Sequence, residues 1–461
     1  LYDAKIIGKL HKKKIEYITD HSNDAHSQTL LVIYKNKNFK KSYLKNAILK
    51  GLNTIITNNY IRDVSITQVI VKNLNKEILK LLNIRKPFVP KISIAITGTN
   101  GKTSVTWYLA QICKINNLHT KLIGTLGYFK DLKKVKDSLL TTPSNLDLSQ
   151  FANSNKKNKD IFIAEASSHG LHQGRFNNIS IDIAAFTNLS HDHLDYHKNF
   201  RSYKDSKLLL FNKVLNKNGT AVINSRLKDY KKLQKQLKSR DIKIITFGSK
   251  DVYFEEKIHL NLHILDKKYK IKNLILNNIQ KENLECAIAC ALAMNINKRK
   301  IVRSLEKLKS APGRFEEIFY KKKSAKIIID YAHTPDAIKS LLKTYSYKNF
   351  KPSIVFGCGG DRDKRKRKKM AMVAEKYAKK VYLTDDNPRN ENANLIRKTL
   401  KKHCQKARDI SNRRLAIQTA ISEMHEKDIL IIAGKGHEKY QIIKNKNYLF
   451  DDFKVAKDFI K

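Results

Sequence analysis

Glycine and proline are scarce in this chain, at 16 and 7 residues among 461. That scarcity argues against collagen-like, low-complexity and linker-dominated architectures. Cysteine is rarer still. Cys113, Cys286, Cys290, Cys358 and Cys404 are scattered, odd in number and form no C-x-x-C pair. This usage argues against a disulfide framework or a structural zinc site and fits a reducing compartment, the cytoplasm. No apolar run reaches the roughly 18 residues of a membrane span, so no membrane insertion is expected. The opening LYDAKIIGKLHKKK lacks the apolar stretch of a secretory leader. Acidic residues are also in deficit, 42 against 92 Lys and Arg, for a formal charge of +50. Such a balance raises nucleic acid as a partner. The lysines, however, occur in every segment, and no stacking pattern of aromatics accompanies them. The preferred reading is a surface-wide bias with no nucleic acid bound, which would still help recruit anionic substrates.

Scarcity makes placement informative. Eleven glycines fall in five clusters: Gly98/Gly101, Gly124/Gly127, Gly170/Gly174, Gly357/Gly359/Gly360 and Gly434/Gly436. In a chain so poor in glycine, a cluster marks a backbone necessity. The first lies in ISIAITGTNGKTS, Ile92 to Ser104. Ile92, Ile94 and Ile96 alternate as in a buried strand. Gly98, Thr99, Asn100 and Gly101 break it, and Lys102, Thr103 and Ser104 open a helix whose apolar period runs from Val105 to Ile115. Strand, loop and helix N-terminus make a phosphate cradle, with backbone N–H groups, the helix dipole and Lys102 facing the anion. Thr103 stands where a P-loop hydroxyl meets Mg²⁺. The loop is shorter than G-x-x-x-x-G-K-[ST], because Ile96 occupies the place of the first glycine.

Residues 1 to about 86 read as a small mixed region, with strands TLLVIY and NTIITN around a helical SYLKNAILK. Pro87 and Pro90 mark a linker. Residues 90 to about 310 alternate strands (ISIAIT, KLIGTLG, IFIAEA, IDIAAF, TAVIN) with helical runs at Val105–Ile115, Tyr203–Leu215 and Glu282–Met294. This order predicts a largely parallel sheet with ligands at its carboxyl strand ends. IFIAEASSHGL puts Glu165 at one such end, before Ser167, Ser168, His169 and Gly170. FTNLSHDHLDYH follows the next and holds Asp192, His193, Asp195 and His197. Carboxylates and imidazoles at neighbouring strand ends suit Mg²⁺ and phosphate. Lys207 is, on spacing alone, one lysine among dozens. Pro312-Gly313-Arg314 marks a second boundary. A third alternating region follows, with IIIDYA, SIVFGC, VYLTDD and ILIIAG as strands. Polar motifs end all four: DYAHTPD with Asp330 and His333, GCGGDRD, DDNPR and GKGHE. The run KRKRKK, Lys364 to Lys369, resembles a nuclear-localisation patch. A basic loop beside a strand end is the preferred reading.

These motifs, with TTPS (Thr141 to Ser144), the lysine of SKLLLF, PGRFE and AGKGHE, together resemble the Mur ligase family of ATP-dependent amide-forming enzymes over most of residues 92–456. The resemblance implies an α/β protein of three domains. These are a small N-terminal mixed domain (1–88), a central P-loop-type domain with a parallel sheet (89–313) and a C-terminal Rossmann-like domain (314–461). It implies addition of meso-2,6-diaminopimelate to UDP-N-acetylmuramoyl-L-alanyl-D-glutamate through an acyl phosphate, in peptidoglycan synthesis, by a cytoplasmic monomer. ATP and Mg²⁺ are the implied cofactors. By the same resemblance Lys102 holds the β/γ-phosphates, Thr103 and Glu165 one Mg²⁺, and His193 a second. Lys207 matches a lysine carried as a carbamate. Asn283 lies by the adenine, and Arg314, Asp330 and His333 contact ATP from the third domain. Thr141, Thr142, Ser167, Gln173 and Arg175 line the dipeptide pocket. The family's uridine-side Asp-Ser-Arg signature is reduced here to His21-Ser22-Asn23, leaving Ser22 as the contact. Arg389 clamps the distal carboxylate of diaminopimelate. Arg367 (or Arg365, by a shift of register), Asp386, Asn387, Pro388, Gly434 and Glu438 complete that pocket. Two other readings compete: a folylpolyglutamate-type ligase, disfavoured by GTNGKTS and DNPR, and a nucleic-acid-stimulated ATPase.

Overall fold

The computed structural model describes residues 4–9, 15–35, 39–84, 90–138, 140–153, 160–177, 179–256, 259–272, 274, 276–347, 350–444 and 446–461. Three principal sheets follow one another along the chain, as expected for the α/β class. The first has five strands, ordered Lys5–Ile7, Thr67–Ile70, Thr54–Thr57, Thr29–Ile33, Tyr17–Thr19. All pairs are parallel except the first. Sequence reading found only two of these strands and the helix Lys41–Leu49. Pro87, half of the expected linker, and the 88/89 boundary lie outside the described residues.

The central sheet has eleven strands, with Ile92–Thr97 in its middle between Ile161–Glu165 and Ile181–Phe186. All three run parallel, in a register that sets Glu165 beside Ile96 and Phe186 beside Thr97. Alternation decides the two faces. Ile94 and Ile96 enter one core, with the helices Lys102–Ile115 and Asn278–Ala293, while Ala95 enters the other. Small side chains (Cys113, Cys286, Ala287, Cys290) fill the seam where those helices pack together. All five cysteines are buried thiols. Antiparallel ribbons extend both edges: Gly127–Lys130 with Lys133–Lys136, and Val252–Glu256 with Leu260–Ile264 and Lys267–Lys270.

Two expected boundaries in this domain need correction. KLIGTLG is not one strand. Thr120–Gly124 turns back through Thr125 and Leu126 into Gly127–Lys130, and Gly127 takes the turn with φ +119°. The helical run from Tyr203 to Leu215 starts earlier, at Phe200 behind the cap Asn199, and stops at Leu209. A π-type turn, Leu210–Val214, follows, and Leu215 already begins the strand Leu215–Asn224.

The third sheet orders Glu316–Tyr320, Ala325–Asp330, Ile429–Ala433, Ser353–Phe356, Val381–Leu383 and Arg408–Asp409, all parallel but the first pair. KRKRKK is not a loop. It opens the helix Arg365–Tyr377, whose buried residues Arg367, Met370, Ala371 and Ala374 recur at helical spacing. Lysine and arginine are good helix formers, and this apolar stripe draws the run into the helix. Among the described residues no helix is long and apolar enough to cross a membrane.

Candidate active site

The phosphate loop leaves the central strand at Thr97 and enters the helix Lys102–Ile115 through Gly101, at φ +86°. Both glycines are obligatory for space. A Cβ on Gly98 would lie 1.9 Å from Thr187 Oγ1, and one on Gly101 2.1 Å from Asn283 Oδ1. The TNLS segment pins the loop. Thr99 N–H donates to Asn188 O and Asn100 N–H to Asn188 Oδ1, both at 2.9 Å. Thr99 Oγ1 lies 3.0 Å from Tyr203 OH. The first helical turn thus holds its N–H groups in place for an anion.

Two lysines converge on one carbonyl. Lys102 Nζ donates to Gly98 O at 2.8 Å and Thr99 O at 2.9 Å, and Lys207 Nζ donates to the same Gly98 O at 2.7 Å. Lys207 is buried and lies over the Tyr203 ring, 4.5 Å from its centroid. Burial lowers the pKa of both amines, and the nearby Lys102 charge pushes Lys207 further down, well below its ordinary value. Spacing alone carried no signal for Lys207; only the resemblance singled it out.

Glu165, at the end of its strand, is a hub. Its carboxylate accepts from Thr103 Oγ1 at 3.0 Å and from the Thr125 N–H at 2.9 Å. Thr125 Oγ1 lies 3.1 Å from both Glu165 Oε2 and Thr141 Oγ1. Gly124 leaves room, since its Cβ would come within 2.2 Å of Glu165 Oε1. Burial raises the pKa of this carboxylate, while Lys102, the Thr125 N–H and Arg314 pull it back. Thr142 Oγ1 donates to Glu165 O at 2.7 Å and accepts from Ser167 N at 2.9 Å. Arg175 donates to Thr142 O and, at 3.0 Å, to Gln173 Oε1. Thr103, Glu165, Thr141, Thr142, Ser167, Gln173 and Arg175 therefore form one connected set. His193 has other neighbours: its Nε2 lies 3.5 Å from Asp192 Oδ2 and its ring 4.8 Å from that of His169.

The third sheet brings its strand ends to the same place. Asp330 accepts from Phe315 N at 2.9 Å and Ala332 N at 2.8 Å. Arg314 lies over Tyr331, 4.3 Å from the ring centroid, and its charge acts on Asp330, His333, Lys102 and Glu165. Burial pushes His333 down to about 4; its Nδ1–H donates to Tyr331 O at 2.9 Å. Gly313 and Gly436 cross so closely that a Cβ on Gly313 would stand 2.1 Å from His437 N. The PGR turn is thereby docked on GKGHE.

Asp386, Asn387, Pro388, Arg389, Gly434 and Glu438 also gather. Asn387 Nδ2 donates to Glu438 Oε2 at 2.8 Å. Fully buried Lys435, which sequence reading passed over, donates to Asn387 Oδ1 at 3.0 Å and pairs with Glu438 at 3.2 Å. Its position between two clustered glycines was the available signal. Gly434, at φ +112°, would set a Cβ 2.5 Å from Asp386 Oδ2. Arg389 Nη1 donates to Gly360 O at 2.8 Å. Gly360 must lack a Cβ, which would meet Pro388 O at 1.9 Å. Arg367 is the inward arginine, with a 6% exposed side chain bonded to Glu391 at 3.0 and 3.1 Å, whereas Arg365 is 88% exposed. Glu391, two residues beyond Arg389, was also missed. Ser22 lies in a short turn, Ser22–Asp24; its neighbours His21 and Asp24 reach the central domain, at Asp147 and Lys136.

A glycine loop at the end of a central parallel strand, with the charged strand ends of the third sheet near it, is the arrangement of a multi-domain α/β enzyme of the kind that handles nucleotide phosphate. Residues 96–294 match the family model for the Mur ligase middle domain, and residues 313–436 that for the Mur ligase, glutamate ligase domain. The chain belongs to the Mur ligase family. It is 36% identical over 436 residues to the UDP-N-acetylmuramoyl-L-alanyl-D-glutamate--2,6-diaminopimelate ligase of Rickettsia conorii, covering 91% of this chain and 90% of that one. A solved structure of an enzyme of that name aligns over 97% of this chain and 94% of its own, with a TM-score of 0.62 and 29% identity. The MurF ligase of Thermotoga maritima, solved in complex with ADP, shares the fold over 98% of both chains, with a TM-score of 0.67 and 16% identity.

Proposed function

We propose that this chain joins meso-2,6-diaminopimelate to UDP-N-acetylmuramoyl-L-alanyl-D-glutamate, with ATP converted to ADP and phosphate, as a cytoplasmic step of peptidoglycan synthesis. The observation that carries the reading is the continuous network from Thr103 through Glu165 to Thr142, Ser167 and Arg175, which joins the phosphate loop to a second polar cluster at the neighbouring strand end. It fits a reaction in which a bound carboxylate receives a phosphoryl group. The Thr103 hydroxyl and the buried Glu165 carboxylate fit Mg²⁺, which prefers oxygen donors. A bound Mg²⁺ supplies charge neutralisation for phosphoryl transfer.

The roles follow the residues. Lys102 exchanges its loop carbonyls for β/γ-phosphate oxygens, with Asn283 at the adenine and Arg314, Asp330 and His333 closing from the third domain. Thr141, Thr142, Ser167, Gln173 and Arg175 orient the acceptor so that its free carboxylate becomes an acyl phosphate. The depressed pKa of Lys207 favours the neutral amine that carbamate formation requires, and the carbamate would turn this buried cation into an anion beside Gly98. His193 assists a second Mg²⁺. Arg389, with Arg367, Asp386, Asn387, Pro388, Gly434 and Glu438, holds diaminopimelate so that its amine attacks the acyl phosphate. The units are residues 1–88 for the uridine end, with Ser22 as a contact, 89–313 for ATP and 314–461 for the amino acid.

Phosphate release tests this reading. Release should require ATP, the UDP-linked dipeptide and meso-diaminopimelate together. Release stimulated by DNA alone, or indifferent to the dipeptide, would refute it.

A further inference from the structure

The helix Asn145–Ala152, directly after TTPS, belongs to two cores at once. Leu146 packs into the N-terminal cluster with Ile18, Leu30, Val32 and Ile56, while Leu148 and Ala152 pack under the central sheet. Its polar side chains bind the same two partners. His21 Nε2–H donates to Asp147 Oδ2 at 2.8 Å, and Gln150 Nε2 donates to Ile18 O. From the central domain, Tyr128 OH donates to Asp147 Oδ2 at 3.2 Å, and Asn145 Nδ2 donates to Arg175 O at 2.9 Å. Ser144 Oγ caps the helix by accepting Asp147 N–H at 3.2 Å. Asp147 is buried, and the Asp20 carboxylate lies 3.7 Å from the same His21 nitrogen.

A shift of the N-terminal sheet would therefore move this helix, and with it Thr141, Thr142 and Arg175. We propose that the His21–Asp147 contact is a positioning element, which sets the register between the nucleotide-binding end of the acceptor site and the Thr142–Arg175 pocket that holds its carboxylate end. The assignment rests on the function proposed above. Asp147 and His21 touch no substrate in this scheme. They determine whether binding energy gained at the nucleotide end is available to align the distant carboxylate. A charge-assisted bond suits this task, because Asp147 is buried and loses the closer of its two Oδ2 donors when His21 is removed, keeping only the longer Tyr128 bond.

The test compares two acceptors: the UDP-linked dipeptide and the same N-acetylmuramoyl dipeptide without its nucleotide. In the full-length enzyme, His21→Ala and Asp147→Asn should raise KM for the UDP-linked acceptor about tenfold, as expected from loss of one charge-assisted bond. KM for ATP and diaminopimelate, and kcat/KM for the nucleotide-free acceptor, should be unchanged. A merely structural role would lower turnover of both acceptors in parallel, and that result would overturn the proposal. So would an unchanged KM for the UDP-linked acceptor in both variants while the unsubstituted enzyme turns it over normally. If the unsubstituted enzyme does not use the UDP-linked acceptor at all, the function itself is wrong and this assignment falls with it. His21 is partly exposed, so its variant tests the contact even where Asp147→Asn folds poorly.

Discussion

Arg389 combines a backbone task with a side-chain one. It sits in the left-handed region at φ +51°, which costs a non-glycine residue roughly 1–2 kcal/mol. Backbone bonds to the hairpin Tyr440–Ile443/Lys446–Leu449 hold it there: Arg389 N–H to Ile442 O at 3.0 Å and Lys444 N–H to Arg389 O at 2.7 Å. Alanine pays the same backbone cost and keeps both bonds, so Arg389→Ala isolates the guanidinium. Preference for diaminopimelate over L-lysine should fall about 10–100-fold, the range of a lost charged hydrogen-bond pair, with ATP affinity unchanged. Competition between the two amino acids, with ATP titrated separately, checks this; an unchanged preference would reject the clamp. His333 and His437 make a second residue-scale case. Burial pushes them down to about 4 and about 3, against an ordinary value of 6.5. As pH falls from 6.5 towards 4, the unfolded chain takes up protons at both imidazoles and the folded chain does not. Their contribution to stability is thus complete above pH 6.5 and is lost progressively below it. The urea midpoint of a His333→Gln/His437→Gln double variant should fall less between pH 7 and pH 5 than that of the unsubstituted protein. Parallel falls would show that these two groups do not carry the dependence.

At the scale of elements, the helix Arg365–Tyr377 begins with five cations in succession, at the end where the macrodipole disfavours them. Asp363 offsets this. Its carboxylate accepts the Arg365 N–H at 2.9 Å and lies 3.5 Å from the Arg365 guanidinium. Asp363, one residue before the N-cap Lys364, should when changed to Ala cost a few tenths of a kcal/mol by chemical denaturation, and Asp363→Asn, which keeps an oxygen for the Arg365 N–H, less. Equal losses would assign the effect to charge instead of to that bond. This helix also shows what could be read in advance. Its apolar stripe was visible, but a basic run resembles a loop until that stripe is counted as part of it. The central parallel strands were legible because their isoleucines feed cores on both faces. The edge ribbons Lys133–Lys136 and Lys267–Lys270 were not, being almost wholly exposed and without an apolar period. The strand-end motifs stood out because glycine is rare. The meeting of Lys207 with Gly98, 109 residues apart, has no local signal, and neither has the embrace of Asn387 by Lys435 and Glu438.

At the scale of the whole molecule, a charge of +50 surrounds a site whose proposed substrates are all anionic or carry carboxylates. Many described acidic side chains pair with lysine or arginine, such as Glu391 with Arg367 and Asp452 with Arg413, and the 92 basic residues against 42 acidic ones leave a large cationic excess. Such a field raises the encounter rate with anions, and its reach shrinks with salt, from about 30 Å at 0.01 M to about 8 Å at 0.15 M. The inner contacts that align the reacting groups lie within a few ångströms in desolvated surroundings, where screening is weak. Salt should therefore act on capture and leave chemistry alone. Between 0.01 and 0.15 M salt, kcat/KM for the UDP-linked acceptor should fall several-fold while kcat stays within about twofold, and diaminopimelate, a zwitterion of smaller net charge, should respond less. The comparison needs steady-state kinetics for each substrate at fixed saturation of the others. A fall in kcat matching that in kcat/KM would place the effect of salt in folding or domain closure, and the excess lysine would then have no part in recruiting substrate.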